Sequence, residues 1–408
     1  MKFTRYLSHS SDMPLARASG RYLSPFMSQL RVDLPPELWL YIQRLATAYH
    51  SPLNIAYESD LVYRYDRALN PFALIRHFHE DAISFSLVSR SWNLLATKLL
   101  YESICVSRFT QPSLFAALHR AGVSDLVRAA VISGPAEIHF YRALFTLCPR
   151  LEVLVLQHSN DRIMAWDVDP MTMALGQSLT LPQLRFIYWN RFVAPDGLLD
   201  LVLQVSPNVQ SLYDGIRGYT SGLILKESRP YAPGPISPSS LRRLEIRSIR
   251  NDLTLPLLLS LGCEHTLTRL SLPVDLLREV DFPVLPRTTV LEIFGSRRTI
   301  NCPAISRLFP SLQELCFDVW NAFEGPMTLP HVAVIRLHSV VVDVLGDWHT
   351  IQRAFTMCLD RGNLPRLRRI VLYNMWDRTV ESSKLAPLLL AIRQRGCDVE
   401  FPEHCVRN

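Results

Sequence analysis

A chain of 408 residues with 48% hydrophobic and 20% charged residues has ordinary globular composition and ample apolar material for a large core, which excludes collagen, a simple coiled coil and wholesale disorder. Its 43 Lys and Arg against 37 Asp and Glu leave a formal charge of +6, spread along the chain without a polyanion-binding tail. No apolar run reaches the ~18–20 residues of a membrane span, no signal-peptide core follows Met1, and no Asn-x-Ser/Thr sequon occurs, so the expectation is a cytoplasmic or nuclear protein that engages no membrane.

Residues 1–31 are rich in Ser, Pro and Gly (Ser8, Ser10, Ser11, Pro14, Ser19, Gly20) and poor in periodic apolar positions, which predicts a disordered leader. From residue 32 to 108 the expectation is a small helical domain. Leu34-Pro35-Pro36-Glu37-Leu38 leads into Leu38, Ile42 and Leu45 at helical spacing, with proline suited to the first turn and Glu37 facing the positive end of the helix dipole. A second helix is predicted over about 83–100, with Phe85, Val88, Trp92, Leu95 and Leu99 on one stripe and Leu87, Leu94 and Tyr101 on another. Two apolar stripes need two surfaces to pack against. One is the protein's own body, which leaves the other for a partner or a further local helix. Between the two helices, an insert at about 46–81 carries Tyr57, Leu61, Tyr63, Tyr65 and Phe72, enough for an extra helix or two.

From residue 109 to 408 a short Leu-x-x-Leu-x-Leu-like unit recurs, usually led by Pro-x-Leu: 127–132, 148–156, 181–189, 206–212, 239–246, 266–272, 289–293, 309–317, 330–337 and 364–372. Amphipathic stretches at 196–205, 351–359 and 385–395 are long enough to return the chain as outer helices. A strand-turn-helix unit cannot bury its apolar face alone, so neighbours stack into a curved α/β solenoid with a parallel strand ladder inside. The Pro-rich stretch 226–240 reads as a surface loop.

Alternation along each strand puts the leucines inward and the residues between them on the open side of the ladder. By that rule the concave face displays Arg243, Glu245, Arg247, Arg269, Glu292, Glu314, Asp318, Arg336, His338, Arg369, Val371 and Tyr373, a mixed-charge surface with an aromatic edge that suits a protein target. Chemistry is not expected. No phosphate loop, HExxH helix or GxSxG elbow occurs. The pair His77 and His79 cannot share a helix face, so no metal site and no cofactor is predicted. The eight cysteines form no CxxC pair and read as reduced, mostly buried thiols. The Arg-rich steps Arg242-Arg243, Arg297-Arg298 and Arg366 to Arg369 read as a solvated solenoid face, not a nucleic-acid groove.

The blocks Leu34-Pro35-Pro36-Glu37-Leu38, Phe85-Ser86-Leu87-Val88-Ser89-Arg90-Ser91-Trp92 and Leu99-Leu100-Tyr101-Glu102-Ser103-Ile104 resemble an F-box, and the downstream units resemble the degenerate leucine-rich repeats that accompany F-boxes in large fungal, basidiomycete-type families. The chain departs from a usual compact F-box by its insert at 46–81. The resemblance implies a small all-helical F-box followed by an irregular leucine-rich-repeat solenoid. It implies a non-catalytic substrate receptor of a Skp/cullin/F-box ubiquitin ligase, whose partners are the Skp adaptor, through it a cullin, and an unidentified protein target. Carried over by residue, adaptor contacts fall on Leu34, Pro35, Glu37, Leu38, Ile42, Leu87, Val88 and Trp92, with Trp92 serving core packing or adaptor contact. The alternative is a leucine-rich interaction scaffold outside any ligase.

Overall fold

Proline turns launch most of the strands. At 148–151, 181–184, 206–209, 285–288, 309–312, 329–332 and 364–367 proline is the second residue of a tight turn, where its fixed φ is already suitable, and the fourth residue's N–H donates to the first residue's carbonyl at 3.1–3.4 Å. The first and fourth residues of these turns are buried, whereas Pro149, Pro182, Pro207, Pro310 and Pro365 face solvent. This is the physical content of the recurring Pro-x-Leu.

The computed structural model describes residues 35–47, 80–107, 111–134, 136, 138–157, 179–189, 198–214, 240–246, 261–278, 282–295, 299–318, 321–324, 328–338, 348–360, 362–372 and 385–400. The leader 1–31, nearly all of the insert 46–81 and of the loop 226–240, and Leu34, Arg247 and Tyr373 lie outside them.

Within the described residues the architecture is α/β and solenoid-like. Twelve parallel strands form one sheet: β1 (Ser103–Val106), β2 (Ala129–Ser133), β3 (Val153–Gln157), β4 (Phe186–Trp189), β5 (Ser211–Asp214), β6 (Arg243–Ile246), β7 (Arg269–Pro273), β8 (Val290–Phe294), β10 (Glu314–Asp318), β12 (Val334–His338), β13 (Arg369–Leu372) and β14 (Asp398–Glu400). The strands follow chain order, and β9 (Thr299–Asn301) pairs with β11 (Ala322–Glu324) in a separate two-stranded parallel sheet. All ten recurring units contribute a strand. The first strand, β1, begins at Ser103, ahead of the 109 start expected for the solenoid, and the α-helix before it runs straight into it.

Register is continuous across the sheet. Ile104, Ala130, Leu154, Ile187, Leu212, Leu244, Leu270, Leu291, Leu315, Ile335, Ile370 and Val399 are partnered from strand to strand as one row. That row faces the main core, and each fully buried leucine in it stabilises the fold by roughly 1.5–3 kcal/mol. A doubled amide bond fixes the register before each strand from β3 to β13 begins. The Arg128 carbonyl accepts from the N–H groups of Glu152 and Val153, the Glu152 carbonyl from Arg185 and Phe186, and so on to the Ala333 carbonyl, which accepts from Arg368 and Arg369.

Helices close the other side of this core. From α3 (Gln111–Ala121), Phe115 and Leu118 enter it; from α4 (Ile138–Leu147), Phe140, Tyr141, Leu144 and Phe145. Further along, α5 (Leu198–Val205), α6 (Cys302–Leu308), α7 (Trp348–Leu359) and α8 (Leu385–Gln394) contribute Val202, Ile305, Phe355 and Ile392 to the same core. The helices expected at 196–205, 351–359 and 385–395 are α5, α7 and α8.

Ahead of β1 lie α1 (Pro36–Thr47), a helical segment at 80–86 and α2 (Arg90–Glu102). The single helix expected over 83–100 is two. The chain leaves the helix at Leu87, Val88 and Ser89, because Ser89 restarts it: its backbone is extended and its Oγ accepts from the Trp92 N–H at 3.2 Å, an N-cap bond the periodicity of apolar residues does not encode.

Candidate functional site

Two surfaces stand out. The first is the helical region before the sheet. Trp92 is its pivot, with ring centroids 5.1 Å from Trp39 and 5.7 Å from Phe85, so this tryptophan packs within the module. Ala82 and Leu99 are buried beside it, with Leu40 and Leu100 packed against them. The inner face of α1 is thus Trp39, Leu40 and the buried Gln43. Its outer face, offset by i, i+3 and i+4, is Leu38, Tyr41 and Ile42, all exposed.

The exposed apolar side chains continue on the neighbouring segment: Leu87 is 80% exposed, Val88 61% and Leu94 72%, with Ile83 also exposed. Elsewhere among the described residues large exposed apolar side chains are isolated, at Val284 and Leu390. Scattered single residues are normal on a surface, but this concentration is not. Of the expected adaptor contacts, Leu38, Ile42, Leu87 and Val88 fall in the exposed set, Pro35 and Glu37 are exposed beside them, Trp92 is half-buried, and Leu34 is outside the described residues. Tyr41, Ile83 and Leu94 were not singled out as contacts. Tyr41 was legible from its spacing to Leu38, and Leu94 from the second helical stripe.

The second surface is the open face of the sheet, which changes character along its length. On β1 to β4 it is apolar: Ala129, Val131, Val153, Val155 and Phe186 form a small buried cluster with Cys105 and Tyr188 packed against it. The rings of Tyr188 and Tyr213 then stack, 4.1 Å apart and 13° from parallel, on register partners of β4 and β5. From β6 onward the same rows carry charge: Arg243, Glu245, Arg269, Glu292, Glu314, Arg336 and Arg369 alternate with core residues as expected.

The expectation that these residues are displayed needs correction. Glu245 is 1% exposed, and Glu292 and Asp318 are 0% exposed. Neighbouring in-register strands lie only ~4.8 Å apart, so short carboxylates are crowded from both sides by longer side chains. Glu292 is bonded internally instead of facing solvent, accepting from the Ser271 hydroxyl at Oε2 at 2.7 Å, and the half-buried Glu314 is gripped by Arg336 through both Nε and Nη2. Arg269 Nη2 also approaches Glu314, at 4.0 Å. At the far end Arg369 is exposed and pairs with Glu400 at 3.3 Å, and the backbone of His338 is the register partner of Asp318.

Cys316 lies within this charged patch, and burial, reinforced by the charge of Glu292, pushes its thiol well above the ordinary 9.0. Burial likewise lifts Cys148, Cys263 and Cys302 to about 12 and Cys105 to about 11. Six cysteines of the described residues form no disulfide, and five of them are buried. Such thiols are poor nucleophiles and poor metal ligands. Among the described residues no group of three or more His, Cys, Asp and Glu is placed to hold a metal ion, and no helix is long and apolar enough to cross a membrane. Compared with known proteins, the chain matches no protein-family model and no curated protein.

Proposed function

We propose that the protein is a non-catalytic substrate-recognition subunit of a Skp/cullin/F-box ubiquitin ligase: the helical region before β1 is an F-box that docks the Skp adaptor, and the downstream leucine-rich-repeat solenoid holds a protein target. The observation that carries this reading is the concentration of exposed apolar side chains at Leu38, Tyr41, Ile42, Leu87, Val88 and Leu94, on α1, α2 and the turn that leads into α2, while Trp39, Phe85 and Trp92 pack inward. An apolar patch of that kind wants a partner. Its position, on the Leu-Pro-x-Glu-Leu and Leu-Val-Ser-Arg-Ser-Trp blocks, is where an F-box meets its adaptor.

The mechanism is positioning. A target held on the solenoid gains a high effective concentration beside a ubiquitin thioester carried by a separately recruited enzyme. The exposed Arg369 and half-buried Arg243, with the Tyr188 and Tyr213 rings, are the contacts left for a target once the buried carboxylates are discounted. Co-expression with a Skp adaptor and affinity capture through this chain tests the reading. Adaptor recovered in stoichiometric amount supports it; a folded chain that captures none leaves the alternative, a leucine-rich scaffold working outside a ligase.

A further inference from the structure

The stacked turns align a third surface that neither the helical region nor the open face uses. Because each strand start from β3 to β13 is tied to the one before it by the doubled amide bond, the third residue of each turn and the residue just before each strand form two rows along one edge of the sheet. Exposed arginines recur in these rows at Arg150, Arg185, Arg242, Arg287, Arg366 and Arg368. Between them the rows carry neutral polar residues: Gln183, Asn208, Gln210, Thr268 and Gln313. The acids at these positions are Glu102 and Glu152, both buried, and Arg128 occupies Glu152 through a 2.7 Å bond from Nε. Elsewhere on the edge the described acids are Asp125 and Glu264.

The contrast with the open face is chemical. There each arginine with a described ion pair meets a glutamate of the same sheet, as Arg336 meets Glu314 and Arg369 meets Glu400. On the turn edge none of the six arginines has an ion-pair partner among the described residues. The fold therefore collects on one edge a positive charge that the nearly balanced composition conceals.

We infer that this turn edge is a docking surface for an extended acidic segment of a protein partner. Charge complementarity names the sign of the occupant, and the arrangement names its class. The interleaved amide and hydroxyl side chains can hydrogen-bond a peptide, whereas the neighbouring turn positions expose prolines in place of the aromatic rings on which unpaired bases stack. From β3 to β13 the row spans eight strand spacings, roughly 40 Å, which an extended peptide of about 12 residues covers. The row's arginines and the exposed apolar residues of the helical region are different side chains, so separate variants test adaptor binding and acidic-peptide binding.

The test is fluorescence anisotropy of the full chain with a labelled poly-glutamate peptide of about 12 residues, with a mixed-sequence single-stranded oligonucleotide of about 16 nucleotides as competitor class. Two triple variants remove equal charge: Arg185→Gln, Arg242→Gln, Arg368→Gln on the edge, and Arg120→Gln, Arg353→Gln, Arg393→Gln at exposed helical positions. The expected result is saturable peptide binding, weakened about tenfold by the edge triple and unchanged by the helical triple. The inference is overturned by absence of peptide binding, by equal losses in both triples, or by tighter binding of the oligonucleotide than of the peptide.

Discussion

The helices ahead of β1 and the strand ladder after them treat apolar surface in opposite ways. Along the ladder almost every large apolar side chain enters one continuous core, from Ile104 to Ile392. In the helical region the buried cluster is small, centred on Ala82 and Leu99, and the bulky residues Leu38, Tyr41, Leu87, Val88 and Leu94 remain outside. The lesson is that the ladder is finished by its own repeats, each stacking on the last, while the described residues leave the outer side of the helical region uncovered. A solenoid unit needs neighbours, and this chain supplies them. The outer stripe of α1 has no such neighbour among the described residues.

That comparison can be broken in several ways, and the ladder offers the largest effect. Phe317 is fully buried and its ring meets Phe323 edge-on at 4.9 Å, so Phe317→Ala is expected to cost about 3–5 kcal/mol in denaturant unfolding. Leu87→Ala, at a bulky but 80% exposed position, should change stability by no more than about 0.5 kcal/mol while weakening adaptor capture. If Leu87→Ala destabilises as Phe317→Ala does, the helical region has a core of its own and the contrast disappears.

The next effect is electrostatic. Glu314 serves both Arg336 and Arg269 at largely buried positions, so Glu314→Gln leaves two guanidiniums short of their counter-ion, and about 2 kcal/mol is the expected loss. A double-mutant cycle with Arg336→Met measures the coupling, and additivity within about 0.3 kcal/mol would show that the pair is idle. Smaller still is the cap: Ser89→Ala should cost about 1 kcal/mol by removing the bond to the Trp92 N–H, and Ser89→Asp should restore it. The buried thiols set a pH window. Their folded values lie near 12 against an ordinary 9.0, so the folded state holds protons that the unfolded chain releases; their contribution is intact below about pH 9 and lost as pH rises from 9 toward 12. A thiol reagent at pH 8 should accordingly label Cys148, Cys263 and Cys302 only on unfolding.

Much of the ladder was legible because its signal is strictly periodic. The alternation of residues such as Leu244 and Ile246 repeats from unit to unit and a Pro-x-Leu lead precedes most of them, so errors in one unit do not propagate. The break at Leu87 to Ser89 was not legible from apolar spacing, since Phe85, Val88, Trp92 and Leu95 satisfy helical spacing through it while a single hydroxyl decides where the helix restarts. Strand β1 was hidden for a related reason: Ser103-Ile104-Cys105-Val106 continues an apolar helical run and acquires its strand identity from pairing with β2. On the open face, alternation predicted the side of the sheet for Glu245 and Glu292 but not their burial, because exposure depends on the neighbours two strands away. Of the turn-edge arginines, Arg242, Arg366 and Arg368 were visible within separate Arg-rich steps; only the shared register lines them up with Arg150, Arg185 and Arg287.

The most direct measurement of the central claim is size-exclusion chromatography with light scattering of the full chain mixed with a Skp adaptor, comparing wild type with Leu38→Asp, Leu87→Asp. Both sites are exposed, so matching far-UV spectra and thermal midpoints are expected for the two proteins. A one-to-one complex for wild type that is lost in the variant is the result the ligase reading predicts. A wild type that elutes alone, or a variant that binds as tightly as wild type, would contradict it.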